Sequence, residues 1–103
     1  MGKETIEIRE FVRQIKKKFS PEKIILFGSR AKKDHLKDSD YDIIVVSKKF
    51  QNISFLERLY LLHRFWKYKY NLDILAYTPE EFEKKKEEIG IVREAIKKGI
   101  EIS

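Results

Sequence analysis

The sequence predicts an α/β (α+β) fold, a small mixed β-sheet flanked by helices. Three observations lead there. Short runs rich in apolar and β-branched residues recur at 23–27 ("KIILF"), 41–46 ("YDIIVV") and 72–77 ("LDILAY"), the composition and length of buried strands. Segments with apolar residues at helical spacing lie before, between and after them. Helix-start signals stand between the runs: Ser54 three residues before Glu57, and Thr78-Pro79-Glu80-Glu81, each in the pattern of a capping box. With 103 residues, the expectation is one domain spanning 1–103.

In chain order, residues 5–19 read as a first helix, with Ile8, Phe11, Val12, Ile15 and Phe19 on one side and Lys16, Lys17 and Lys18 at its C-terminal end, where cations suit the helix dipole. Ser20-Pro21 breaks it. The strand at 23–27 stops at Gly28-Ser29, and "SRAKK" can begin a short helix. Residues 34–39 form a polar turn, followed by the strand at 41–46. The next helix is expected from Ser54 to about Tyr68, with Phe55, Leu56, Leu59, Leu62, His63 and Trp66 on its apolar side. The strand at 72–77 leads into a helix with Pro79 at its first position. A last helix is expected over about 89–98, ended by Gly99.

Composition narrows the function. Cysteine is absent, which excludes disulfides and cysteine-ligated zinc. The N-terminal stretch is charged and periodic, unlike a signal peptide. No apolar run approaches the ~20 residues of a membrane span. The expectation is a soluble, cytoplasmic protein without a membrane partner. Net charge is +6, from 23 basic and 17 acidic residues. That excess admits nucleic acid as a partner, but Lys and Glu dominate the surface chemistry at 17 and 12 residues, as in surfaces laced with ion pairs.

The aspartates are placed differently from the glutamates. No glutamate lies between Glu22 and Glu57, whereas four of the five aspartates (Asp34, Asp38, Asp40 and Asp42) fall there and the fifth is Asp73. Asp40 and Asp42 are two residues apart at the start of a strand, so they share a face with Cα atoms about 6.5 Å apart. Two carboxylates so placed repel one another, and a hard divalent cation such as Mg²⁺ or Mn²⁺ would offset that cost. Asp73 interrupts the apolar strand at 72–77; if that strand lies beside 41–46, it completes a cluster of three. Gly28-Ser29, at a strand end leading into a helix, offers backbone N–H groups and a hydroxyl to phosphate. Each piece alone has a plainer reading: a solvated strand edge for Asp40 and Asp42, a turn for Gly28-Ser29, an exposed strand end for Asp73. His63, on the apolar side of its helix, reads as structural. His35 precedes the acid pair, where a phosphate contact is open to it.

Taken together, "LFGSRA", the ten residues 30–39, "DSDYDIIVV" and Asp73 in "LDIL" resemble the minimal nucleotidyltransferase domain of the DNA polymerase beta superfamily. The resemblance covers roughly residues 5–100. One departure stands out. The family often carries Gly-Ser-Arg-Ala-Arg-Gly, and here Lys32-Lys33 replaces the final Arg-Gly; no carboxylate is lost.

The resemblance implies a polymerase beta-like core and a Mg²⁺-dependent transfer of a nucleoside monophosphate from ATP or another nucleoside triphosphate. Asp40, Asp42 and Asp73 would be the catalytic, metal-binding carboxylates for two ions, with Mn²⁺ able to substitute. Gly28, Ser29 and Arg30 would bind the nucleotide phosphates. Similar stand-alone domains pair with small helical HEPN proteins in toxin–antitoxin systems, and the implied acceptor is a tyrosine of such a partner, AMP being the group placed there. The aromatic stretch 61–71, with Phe65, Tyr68 and Tyr70 expected off the main apolar face, would suit a partner surface; self-association is a further expectation. Two alternatives stay open: a non-catalytic antitoxin that neutralises its partner by contact, and an RNA-directed nucleotidyltransferase.

Overall fold

The structure, a computed structural model, describes residues 6–27, 41–68 and 71–102. In chain order its elements are α1 (Ile6–Phe19), β1 (Lys23–Phe27), β2 (Tyr41–Val46), a 3-10 turn (Lys48–Phe50), α2 (Phe55–His63), β3 (Leu72–Tyr77), α3 (Pro79–Lys86), α4 (Ile91–Lys98) and β4 (Ile100–Glu101). The sheet order is β3-β2-β1-β4. β1 runs antiparallel to β2 and to β4, and β2 runs parallel to β3. The mixed sheet follows from the connections, since parallel strands need a long crossover and α2 supplies it.

Strand alternation divides the sheet into two faces. One face, carrying Ile24, Leu26, Tyr41, Ile43, Val45, Leu72, Ile74 and Ala76, packs against the buried side of α1 and against Leu62 of α2. The other, carrying Ile25, Ile44, Val46 and Tyr77, packs against Phe82 of α3 and Val92 and Ala95 of α4. The first core is rich in rings. Trp66 meets Phe11 edge-on at 5.3 Å and Tyr41 at 5.2 Å between centroids, geometries that contribute about 0.5–1.5 kcal/mol per pair beyond area burial.

α1 ends where expected. Ser20 sits at φ 46°, and the buried Ser47 hydroxyl donates to the Phe19 carbonyl at 2.6 Å, satisfying one of the acceptors the helix end leaves open. Thr78 and Glu81 form the full capping box. At α2 the Ser54 hydroxyl accepts from the Glu57 N–H at 3.2 Å.

α2 departs from expectation twice. It stops at His63 rather than near Tyr68, because the chain must turn to put Trp66 between Phe11 and Tyr41. Phe65 N and Trp66 N donate back to the Leu62 and His63 carbonyls, i→i+3 bonds that tighten the final turn. Its inward face is also different. Leu56 is 78 % exposed while Arg58 is 6 % exposed. Of the aromatics expected off the apolar face, Phe65 instead packs on the first core, with its ring edge-on to Phe19 at 6.4 Å, whereas Tyr68 is exposed. Tyr70 lies outside the described residues.

Gly99 ends α4, but by close approach rather than by a left-handed turn. Its φ is −83°, and a Cβ there would run into the Ala95 carbonyl, the Ile25 side chain and the Leu26 carbonyl. The missing side chain lets α4 pass directly into β4, a two-residue strand paired with Ile25 and Leu26.

Candidate active site

Asp42 and Asp73 are each the second residue of their strands, and the parallel register of β2 and β3 makes them direct partners. Adjacent strands lie about 4.8 Å apart, so two carboxylates on one face at one level are close enough to share a cation. On the other side of β2, Asp42 is the antiparallel partner of Phe27, the last residue of β1. A row Phe27–Asp42–Asp73 therefore crosses the sheet on the face that carries α3 and α4. The next residues inward on that face are Ile44 and Leu75, also paired, and there the second apolar core begins. Asp42 is half-buried and Asp73 exposed; the pair lies just beyond the core, where water can reach it.

β1 ends at Phe27, within this row, and β2 begins at Tyr41, next to Asp42. Gly28, Ser29, Arg30 and Asp40, with His35, Lys32 and Lys33, fall outside the described residues. The structure thus brings together two of the three candidate carboxylates. Among the described residues no group of three His, Cys, Asp or Glu side chains gathers to hold a metal. Paired carboxylate oxygens are nonetheless the donors that Mg²⁺ and Mn²⁺ take. Asp42 and Asp73 offer two such carboxylates at one level of the sheet, a donor type that fits such an ion.

The position of Asp73 depends on how β3 is held at the sheet edge. The Asn71 and Tyr77 carbonyls accept from Tyr41 N and Ser47 N, both at 2.9 Å. By alternation, the Leu72 and Ala76 carbonyls point the other way, to the open edge. α2 supplies a partner to each. His63 Nε2 lies 2.8 Å from the Leu72 carbonyl, and its Nδ1 lies 2.9 Å from that of Leu59, so His63 is structural, as its sequence context suggests. Arg58 Nη1 donates to the Ala76 carbonyl at 2.9 Å, and Nε donates to Ile53 at 2.9 Å. The Arg58 guanidinium also holds the Glu81 carboxyl below the usual carboxylate range, against the opposing effect of partial burial. Nothing in the sequence marks Arg58 as buried, beyond its place one helical turn before the buried Leu62. Burial pushes the neighbouring Tyr77 hydroxyl upward.

Sequence reasoning also missed a cleft of about 740 Å³ that begins at Phe27 and runs along α4. The α4 residues Ile91, Glu94, Ala95 and Lys98 line it, at the i, i+3, i+4, i+7 spacing of a single helix face. Only the pairing of β1 with β2 reveals that this cleft and Asp42 are neighbours.

Residues 7–101 match the model of the nucleotidyltransferase domain. The chain belongs to that family. The nucleotidyltransferase domain shares its fold with a Sulfolobus solfataricus protein provisionally named a nucleotidyltransferase, at 31 % identity and a TM-score of 0.60 over 75 % of this chain and 68 % of that one. Two Arabidopsis thaliana structures show the fold alone. BolA1 has 20 % identity and a TM-score of 0.59, and the BolA domain of SufE1 has 21 % and 0.57; each match covers 76 % of this chain and 96 % of the other. No curated protein matches the sequence. No helix among the described residues of this nucleotidyltransferase domain is long and apolar enough to cross a membrane.

Proposed function

We propose that the domain transfers a nucleoside monophosphate, AMP from ATP in the first instance, to a hydroxyl acceptor. The observation that carries this reading is the register of Asp42 beside Asp73 on adjoining parallel strands, within a chain of the nucleotidyltransferase family. Asp40, Asp42 and Asp73 would hold two Mg²⁺ ions, or Mn²⁺, which when bound neutralise the triphosphate and lower the cost of charge developing at the reacting phosphorus. Gly28 and Ser29 hold the outer phosphates through backbone N–H groups and the hydroxyl, with Arg30 adding charge. Asp73, on the edge strand and exposed, faces the acceptor and takes its proton. The acceptor oxygen forms a bond to the α-phosphorus, the α–β anhydride bond breaks, and pyrophosphate leaves with the electron pair.

The acceptor class that fits an exposed site at a sheet edge is a hydroxyl on a macromolecule. By resemblance to stand-alone domains of this kind, it is a tyrosine of a small helical HEPN-type partner, and the domain serves as the antitoxin. The test is incubation with α-labelled ATP, Mg²⁺ and lysate of the source organism, beside Asp42→Asn and Asp73→Asn. A protein band labelled only by the wild type is expected. Label confined to RNA would replace the protein acceptor with a nucleic acid. Absence of label, with a protein partner still retained by the folded domain, would leave a binding module in place of the enzyme.

A further inference from the structure

We infer that the cleft between Phe27 and α4 seats the base and ribose of the transferred nucleotide. This rests on the nucleotide-transfer reading and adds to it a base site and a direction of entry. Three features converge. The first is position: Phe27, half-buried, lines the cleft and is the cross-strand partner of Asp42, so a group lying on its ring is one strand from the carboxylate row. The second is size and surface. About 740 Å³ lies within the roughly 300–1,000 Å³ of small-molecule sites, and Phe27, Ile91 and Ala95 give it an apolar lining. An aromatic ring stacks on any nucleobase, because every base presents a π face.

The third is charge. Arg93, Lys97 and Lys98 also line the cleft. Lys98 is paired with Glu94 at 3.3 Å, whereas among the described residues neither Arg93 nor Lys97 has an ion-pair partner. Two uncompensated cations beside an apolar floor complement a polyanion that carries an apolar head. A purely apolar peptide would gain nothing from them, and an acidic peptide would have no use for the adjoining carboxylates. The nucleotide accordingly enters along α4, with its phosphates directed at Asp42.

The test compares equilibrium binding of ATP and of inorganic tripolyphosphate, both with Mg²⁺, to the full chain and two variants. Ile91→Asp places a carboxylate on the exposed wall. Phe27→Leu removes the ring while nearly keeping its volume. Circular dichroism checks that both fold. The expected result is ATP affinity lowered about tenfold or more in each variant, the scale of losing a stacked base, with tripolyphosphate affinity changed less than twofold. Unchanged ATP affinity in both variants overturns the base site and leaves nucleotide transfer standing, as does an equal loss for ATP and tripolyphosphate. Failure of the wild type to bind ATP at all removes both the base site and the transfer activity.

Discussion

Arg58 of α2 donates to both carboxylate oxygens of Glu81 in α3, at 2.6 and 3.2 Å, while the same guanidinium caps the Ala76 carbonyl of β3 at 2.9 Å. One buried side chain thus fastens two helices from opposite faces of the sheet to the edge strand that carries Asp73. Its removal is expected to be expensive. Arg58→Met should cost about 2–3 kcal/mol, the range for hydrogen bonds to charged groups together with an acceptor left without its partner. Urea unfolding measures it directly, and the midpoint of thermal unfolding should fall by about 4–8 °C per kcal/mol at this size.

The same pair sets a pH dependence. The hydrogen bond from Arg58 is the largest cause of the lowered Glu81 pKa, whose ordinary value is 4.5. A carboxylate whose folded pKa is depressed contributes stability that is fully present above its unfolded pKa and lost as pH falls through the folded one. Stability should therefore decline as the solution is acidified below about pH 4.5. Glu81→Gln should flatten that limb of the curve. The effect is modest, because the Glu81 side chain is 45 % exposed and water screens it.

Asp42 and Asp73 supply a prediction with opposite signs in two conditions. Like charges directly opposed across strands destabilise a sheet by up to roughly 1 kcal/mol. With EDTA present, Asp73→Asn should melt slightly higher than the wild type. With Mg²⁺ or Mn²⁺ added, the wild type should gain stability by mass action and the variant should gain little. Equal metal-induced shifts in the two proteins would remove Asp73 from the metal site.

Gly99→Ala should separate α4 from the sheet. The new methyl would meet two backbone carbonyls and the Ile25 side chain, and backbone cannot step aside cheaply. An expected loss of ~1–3 kcal/mol, typical of overpacking, is measurable by denaturant unfolding. Because α4 forms one wall of the cleft, ATP affinity should weaken as well.

Much of this architecture is legible from local pattern. The three longer strands begin and end where the runs 23–27, 41–46 and 72–77 do, and Thr78-Pro79-Glu80-Glu81 opens α3 as its chemistry dictates. What escaped is what depends on distant residues. A helix end set by the need to bury Trp66 against Phe11 leaves no mark at residues 64–68. β4 is two residues long, and only its pairing with Ile25 and Leu26 makes it a strand. Arg58 reads as a surface charge until β3 and α3 are set around it. The carboxylates of Asp42 and Asp73 could be suspected from their placement in apolar strands. Their pairing required the register, and the neighbouring cleft required the position of α4.

The parallel pairing of β2 with β3 also has a bearing on when the site comes into being. Asp42 and Asp73 are 31 positions apart and meet only after the intervening crossover has been completed, so no local hairpin can assemble them. A nascent chain that has left the ribosome as far as α2 carries every candidate residue but Asp73, and cannot yet set a carboxylate of β3 beside Asp42. The Asp42–Asp73 pair on which the proposed metal site rests thus forms in step with the folding of the crossover.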